Sequence, residues 1–160
     1  MVAERIRDWM AHNREKGMPQ MPTKIIYFRD GVSEGQYEKV LSQEVARIAG
    51  AWEEQLKNAK IFKKPGMRIN VLAVVGVKRH HTRFYPMSKE DKDTRGNNNC
   101  LPGTLVDSGV TSPYYRDFYL QSHSCIKGTA RSTHYFVLRD GDVGVKFNEL
   151  PEFVSEITVS

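Results

Sequence analysis

The chain has 160 residues, a formal net charge of +5, 39% hydrophobic and 27% charged residues and two cysteines. That is one domain's worth of ordinary globular composition, long enough for a real core. It excludes a disulfide-stapled scaffold, and no apolar run of about 18 residues is available to span a membrane. Arg5, Arg7, Glu4 and Asp8 interrupt the first nine residues, which argues against a secretory leader, and the cysteine usage fits a reducing intracellular compartment.

In chain order, Met1 to Lys16 reads as a helix with Ile6, Trp9 and Met10 on one face, like the last turns of a longer helix. Gly17, Pro19 and Pro22 end it. Lys24 to Arg29 follows as a strand. Its unbroken run Ile25-Ile26-Tyr27-Phe28 suggests cover on both faces. Ser33 stands three residues before Gln36, a capping-box spacing that predicts a helix start. Tyr37, Leu41, Val45, Ile48, Trp52 and Leu56 then form one helical stripe, closed by a turn at Lys63 to Gly66. Arg68 to Val77 is a second buried strand, so a βαβ unit with parallel strands and a right-handed crossover is expected. Arg79 to Tyr85 is expected to continue or pair with that strand. Met87 to Gly103 is a polar surface loop, and Thr104 to Val106, Phe118 to Ser122 and Tyr135 to Leu138 are short strands, with a turn at Thr111 to Pro113.

Charge is unevenly spread. Eight basic residues and no acidic one lie between Lys57 and Arg83, whereas Arg139 to Ser160 holds five acidic and two basic residues. A basic block of this kind favours a polyanion such as nucleic acid, although a solvated face has the same composition.

Three groups of residues can carry chemistry. Asp30 lies where a strand ends and a helix is about to begin, the crevice in which open α/β sheets bind ligands; on spacing alone, an Asp-Gly pair is a turn. Lys78-Arg79-His80-His81-Thr82-Arg83 follows the second buried strand, and alternation would send Arg79, His81 and Arg83 to one side. Such a row suits contacts along a phosphodiester backbone, which give affinity without sequence choice, or a charged sheet edge. The third group runs from Phe118 to Tyr135 and includes His123, Lys127, Gly128, Thr129, Arg131 and His134. His134, at the start of a strand, reads as packed. A metal site from His80, His81, Cys100, His123 and Cys125 lacks the close cysteine spacing of structural zinc. Tyr114 and Tyr115, near a turn, read as packing over the sheet edge.

The blocks Tyr-Phe-Arg-Asp-Gly-Val-Ser-Glu-Gly-Gln at 27–36, Lys-Arg-His-His-Thr-Arg at 78–83 and the Ser-His … Gly-Thr … Arg … His-Tyr series at 122–135 resemble Piwi domains of the Argonaute family. The resemblance runs from about Met1 to about Leu138. It implies an α/β fold of ribonuclease H type: a mixed sheet with flanking helices, lacking its first strands and so leaving an apolar edge open. It implies that Asp30 is a catalytic, magnesium-binding carboxylate. It further implies that Lys78, Arg79, His81, Arg83, His123, Lys127, Thr129 and Arg131 contact a guide RNA. The family's other three metal ligands have no counterpart here, so the chain alone is expected to be inactive. Residues 1–138 are expected to form a partial Piwi domain and residues 139–160 a divergent, non-homologous tail. The implied setting is small-RNA-directed silencing in the cytoplasm or nucleus, with guide RNA, target RNA and silencing-complex proteins as partners and no membrane. The alternative is a non-catalytic paralogue that binds RNA or a protein without cleavage.

Overall fold

A computed structural model describes residues 1–17, 21–61, 66–94, 98–125, 127–146 and 148–159. In chain order they form α1 (Val2–Glu15), β1 (Lys24–Asp30), α2 (Tyr37–Lys39), α3 (Ala46–Asn58), β2 (Asn70–Val77), β3 (Leu105–Val106), β4 (Arg116–Leu120), β5 (Thr133–Arg139) and α4 (Leu150–Val159). The turn expected at Lys63 to Gly66 lies, except for Gly66, outside the described residues.

The five strands form one sheet in the order β1-β2-β5-β4-β3. The Asn70 amide donates to the Thr23 carbonyl, and the Gly31 amide donates to the Gly76 carbonyl. Position therefore advances in the same direction on β1 and β2, the parallel arrangement that the βαβ pattern predicts. β3–β4 and β4–β5 pair antiparallel, with Phe118 opposite Tyr135 and Tyr119 opposite His134. β2 and β5 also run in opposite senses, because Gly76 lies beside Thr133 and Tyr135 while Val71 lies beside Gly141.

The chain divides into two compact units, and β1 and β2 contribute residues to both. The first comprises Met1–Tyr27, Glu34–Ala73 and Arg139–Val143. Its core is the stripe Tyr37, Val40, Val45, Ile48, Trp52 and Leu56, all buried. A π stretch at Val40–Val45 links α2 to α3. It explains why Val40 is buried while Leu41, the expected residue, is only half-buried. The Trp52 indole donates to the Pro22 carbonyl at 2.6 Å, and α1 packs on α3. In α1 the inner face is Ile6, Met10 and Asn13, with Trp9 37% exposed, in place of the expected Ile6, Trp9 and Met10.

The helical region begins directly after Ser33, where the capping-box spacing predicts a start, with a 3-10 turn at Glu34–Gln36 that leads into α2. β1 is not covered on both faces. It ends the sheet order, its residues are half-buried or exposed, and Phe28 is 38% exposed. Among the described residues this apolar run has a strand neighbour on one side only, so it forms an open sheet edge.

The second unit comprises Phe28–Ser33, Val74–Leu138 and Gly144–Ser160. Val74, Val75, Phe118, Leu120, Leu150 and Val154 are at most 1% exposed and form its centre. Phe118 stacks on Tyr135 across β4 and β5, with ring centroids 5.2 Å apart. The acid-rich tail forms α4, which packs on β4. The segment from Arg79 to Tyr85 is not a strand. The Arg83 guanidinium donates to the carbonyls of Thr82 (2.7 Å) and His80 (3.2 Å). Those backbone acceptors are thus satisfied locally and not by a neighbouring strand.

Candidate nucleic-acid interface

The directions of the strands bring the candidate residues together. The carboxyl ends of β1 and β2 coincide, as the Gly31–Gly76 hydrogen bond shows. β5 is antiparallel to β2 and β4 to β5, so the start of β5 and the end of β4 fall at that same end of the sheet. Within the second unit a cavity of about 600 Å³ opens there. Asp30, Lys78 and His123 line it with exposed side chains; Gly76, Thr133 and Tyr135 line it too. A Cβ on Gly76 would sit 3.4 Å from both Thr133 and Tyr135, so glycine preserves the space. Burial pushes the Tyr135 phenol above its ordinary pKa, and the negative charge of Asp30 adds to this against a Thr133 hydrogen bond. Tyr135 therefore presents a neutral hydroxyl group at neutral pH.

The arginines brace the backbone around the opening. Arg79 is exposed, and its guanidinium donates to the Gly31 carbonyl at 3.0 Å, tying the segment after β2 to the residue after Asp30. Arg131, also exposed, reaches the Lys78 carbonyl at 3.5 Å. Lys127 and Thr129 are exposed on the segment between β4 and β5, and His81 is exposed on the segment after β2. Arg83 is half-buried, its guanidinium on the His80 and Thr82 carbonyls. Of the residues singled out in the sequence, Asp30, Lys78 and His123 thus share the cavity. Arg79 and Arg131 flank it by hydrogen bonds, and His81 and Arg83 are not among its lining residues.

A buried polar network under the β4–β5 segment escaped the sequence reading. Gln121 is 2% exposed; its amide donates to the His123 carbonyl at 2.6 Å and accepts from the Ser132 hydroxyl at 2.9 Å. Asn99, also 2% exposed, donates to the carbonyls of Gly128 (3.0 Å) and Cys125 (3.4 Å) and accepts from the Ala130 amide (2.8 Å). Asp93 is buried and accepts from the Ser124 hydroxyl. Asn99 and Asp93 lie in the stretch expected to be a polar surface loop. Nothing in their local sequence distinguishes a buried amide or carboxylate from a solvated one.

His134 is packed, as its position at a strand start suggests. It stacks on Tyr119 with centroids 3.8 Å apart, lies 4.0 Å from Phe136, and its Nε2 is 2.5 Å from the Asp117 carboxylate. Burial holds the imidazole below its ordinary pKa against the opposing pull of Asp117, so a neutral ring donates Nε2–H to a fully buried carboxylate.

For a divalent cation, Asp30 is the single carboxylate among the described residues that line this cavity. Among the described residues no three His, Cys, Asp or Glu side chains converge as a cation site. That set does not fit a resident magnesium ion, which needs several oxygen ligands, nor a zinc site built from the histidines and cysteines.

The sequence profile of the Piwi domain matches residues 1–159, the tail included. The chain is similar to Protein argonaute 2 of rice, with 41% identity over 140 residues, covering 88% of this chain and 12% of that protein. It is also similar to Protein argonaute of Schizosaccharomyces pombe, with 42% identity over 121 residues, covering 76% of this chain and 13% of that protein. Among solved structures, the C-terminal lobe of a budding yeast Argonaute superposes with a TM-score of 0.79 at 31% identity, over 94% of this chain and 29% of that one. Kluyveromyces polysporus Argonaute with a guide RNA gives 0.75 at 34% identity, over 89% and 16%. The fold is therefore the mixed-sheet, ribonuclease H-like arrangement of these proteins. The chain spans about an eighth of the length of the curated relatives it matches, and it belongs to the Piwi domain family.

Proposed function

We propose that this chain is the guide-binding part of an Argonaute Piwi domain and acts in small-RNA-directed silencing. The observation that carries the reading is the placement of exposed basic side chains and one carboxylate around a single cavity: Lys78 and His123 line it with Asp30, and Arg79 and Arg131 hydrogen-bond the backbone at Gly31 and Lys78. Lys78, Arg79, His81, Arg83, His123, Lys127, Thr129 and Arg131 are assigned to the RNA backbone. Positive and neutral hydrogen-bond donors at a sheet end hold phosphates without choosing bases. In a complete parent protein Asp30 contributes one carboxylate to a magnesium site, whose remaining ligands come from outside the described residues. A cytoplasmic or nuclear setting and guide RNA, target RNA and silencing-complex proteins as partners follow from this assignment. None of the described helices is long and apolar enough to cross a membrane.

The single carboxylate favours a second reading for the chain on its own, a non-catalytic RNA-binding paralogue. Magnesium-dependent cleavage of a paired target by a complete parent protein separates the two readings, because the chain alone is inactive under both.

Binding of single-stranded RNA, followed by fluorescence anisotropy from 50 to 200 mM salt, tests the shared claim. Each lost phosphate contact flattens the slope of log affinity against log salt by about 0.7, so one contact is worth about 2.6-fold across that fourfold range. Lys78→Ala and Arg131→Ala should each show this loss regardless of RNA sequence. Unchanged affinity and slope in both variants would reduce the tract to a solvated face.

A further inference from the structure

We propose that Asn99 is the positioning residue for the segment that presents Lys127, Thr129 and Arg131, an assignment that rests on the RNA-binding reading above. A carboxamide offers two donor hydrogens and an acceptor oxygen, and in Asn99 all are used on one segment. Nδ2 donates to the carbonyls of Cys125 and Gly128, and Oδ1 accepts from the Ala130 amide. These backbone groups flank Lys127 and Thr129. Gly128 adopts φ +74°, a left-handed turn that favours glycine, and its carbonyl receives the shorter of the two donated bonds.

The anchor is itself fixed. Asn99 gives its own carbonyl to the Asp93 amide at 2.9 Å, and this bond and that from the Leu101 amide to the Asp91 carbonyl (3.2 Å) flank an antiparallel bridge between Lys92 and Cys100. The side chain is 2% exposed, so water does not compete for these bonds. Gln121 ties the two ends of the same segment through His123 and Ser132. Asn99 holds its middle. Neither residue carries charge or reaches the surface, so neither touches RNA; what they supply is a segment already shaped before a ligand arrives.

A preformed segment matters because its alternative is an ensemble. If only a fraction f of molecules hold the binding shape and the rest bind RNA without the segment's cations, the apparent dissociation constant rises by at most 1/f. Asn99→Asp is nearly isosteric, keeps the acceptor for Ala130, removes both donors and sets a carboxylate against two carbonyl oxygens. With about a tenth of molecules left in the binding shape, RNA affinity falls by at most about tenfold, and most of the remaining binding no longer uses Lys127. The cations of the segment then contribute less.

The test uses the full chain and single-stranded RNA, with Asn99→Asp, Asn99→Ser, Lys127→Ala and the corresponding doubles. Hydrogen exchange at the Ala130 amide reads positioning directly, and the thermal midpoint identifies variants that have simply lost stability. Asn99→Ser, neutral and smaller, takes over if the aspartate variant does not fold. The expected result is faster Ala130 exchange, weaker RNA binding, and a Lys127→Ala effect that is present in the parent but shrinks in the Asn99 background. A merely structural role would leave the two substitutions additive. Ala130 exchange unchanged in both Asn99 variants overturns the assignment, as does an undiminished Lys127→Ala effect in a variant that folds. If Lys127→Ala has no effect in the parent, the RNA reading of this segment fails, and the positioning claim falls with it for a distinguishable reason.

Discussion

Replacing Gly141 and Gly50 by alanine, the same methyl addition at two sites, should shift stability in opposite directions. A Cβ built on Gly141 would lie 2.4 Å from the Val71 carbonyl oxygen and 2.6 Å from its carbon and nitrogen. That is about 1 Å inside ordinary van der Waals contact, and the obstacle is the backbone of β2 and not the flexible end of a side chain. The neighbouring backbone is also held, since the Asn70 side chain donates to the Asp142 carbonyl at 2.9 Å. Overpacking against such a fixed neighbour costs about 3 kcal/mol. At about 2–4 °C per kcal/mol for a chain of this size, Gly141→Ala should lower Tm by about 6–12 °C. Gly50 lies on the exposed face of α3 with no atom within 4 Å of the added Cβ. There the loss of backbone freedom in the unfolded chain and the better helix propensity should stabilise by about 0.5–1 kcal/mol, raising Tm by about 1–4 °C. Thermal unfolding of the full chain followed by far-UV circular dichroism measures both. A Gly141→Ala midpoint within about 2 °C of the parent, beside a raised Gly50→Ala midpoint, would refute the packing of residues 139–143 on β2.

Below about pH 6.5 the unfolded chain protonates at His134 before the folded one does, because burial holds the folded imidazole lower. The parent should therefore lose stability as pH falls from 7 to 5, and His134→Gln, which keeps a neutral donor for Asp117, should lose less; parallel Tm profiles would rule this out. Burial and the charge of Asp91 push the Cys100 thiol above its ordinary pKa, whereas Cys125 is half-buried. Iodoacetamide at pH 8 should label Cys125 first, and equal rates would contradict the burial of Cys100. In a complete Argonaute parent, Asp30→Ala should abolish target cleavage and spare guide binding; cleavage at the parental rate would remove Asp30 from the metal site.

Where a signal is local, the sequence reveals the structure well. Every described strand overlaps a segment expected to be one, from Lys24–Asp30 to Thr133–Arg139, because apolar runs and turn residues are read over a few positions. Cover on both faces of β1 was not legible in the same way. Four consecutive apolar residues say nothing about whether a strand ends the sheet, which depends on pairing across the chain. Arg79 to Tyr85 misleads for the opposite reason: alternation of Arg79, His81 and Arg83 has no apolar phase to anchor it, and Arg83 turns back on the carbonyls of His80 and Thr82. At the candidate site the charged residues were legible as residue types. Their support was not. Asn99 meets Gly128 from 29 positions away, Gln121 reaches Ser132 from 11, and polar side chains in polar surroundings carry no mark of burial.

The π stretch at Val40–Val45 also sets how the helical region tolerates changes in length. The buried positions at its two ends, Val40 and Val45, are five residues apart, whereas Ile48, Trp52 and Leu56 keep ordinary α spacing. Deleting one residue among 41–44 would bring that interval to four and let the wide turn relax into regular α-helix with the same residues facing inward. Deleting one residue at 49–51 would instead rotate Trp52 and Leu56 by about 100° relative to Ile48 and turn the Trp52 indole away from Pro22. A chain-length change that is absorbed in one turn of this region would dismantle the core two turns later.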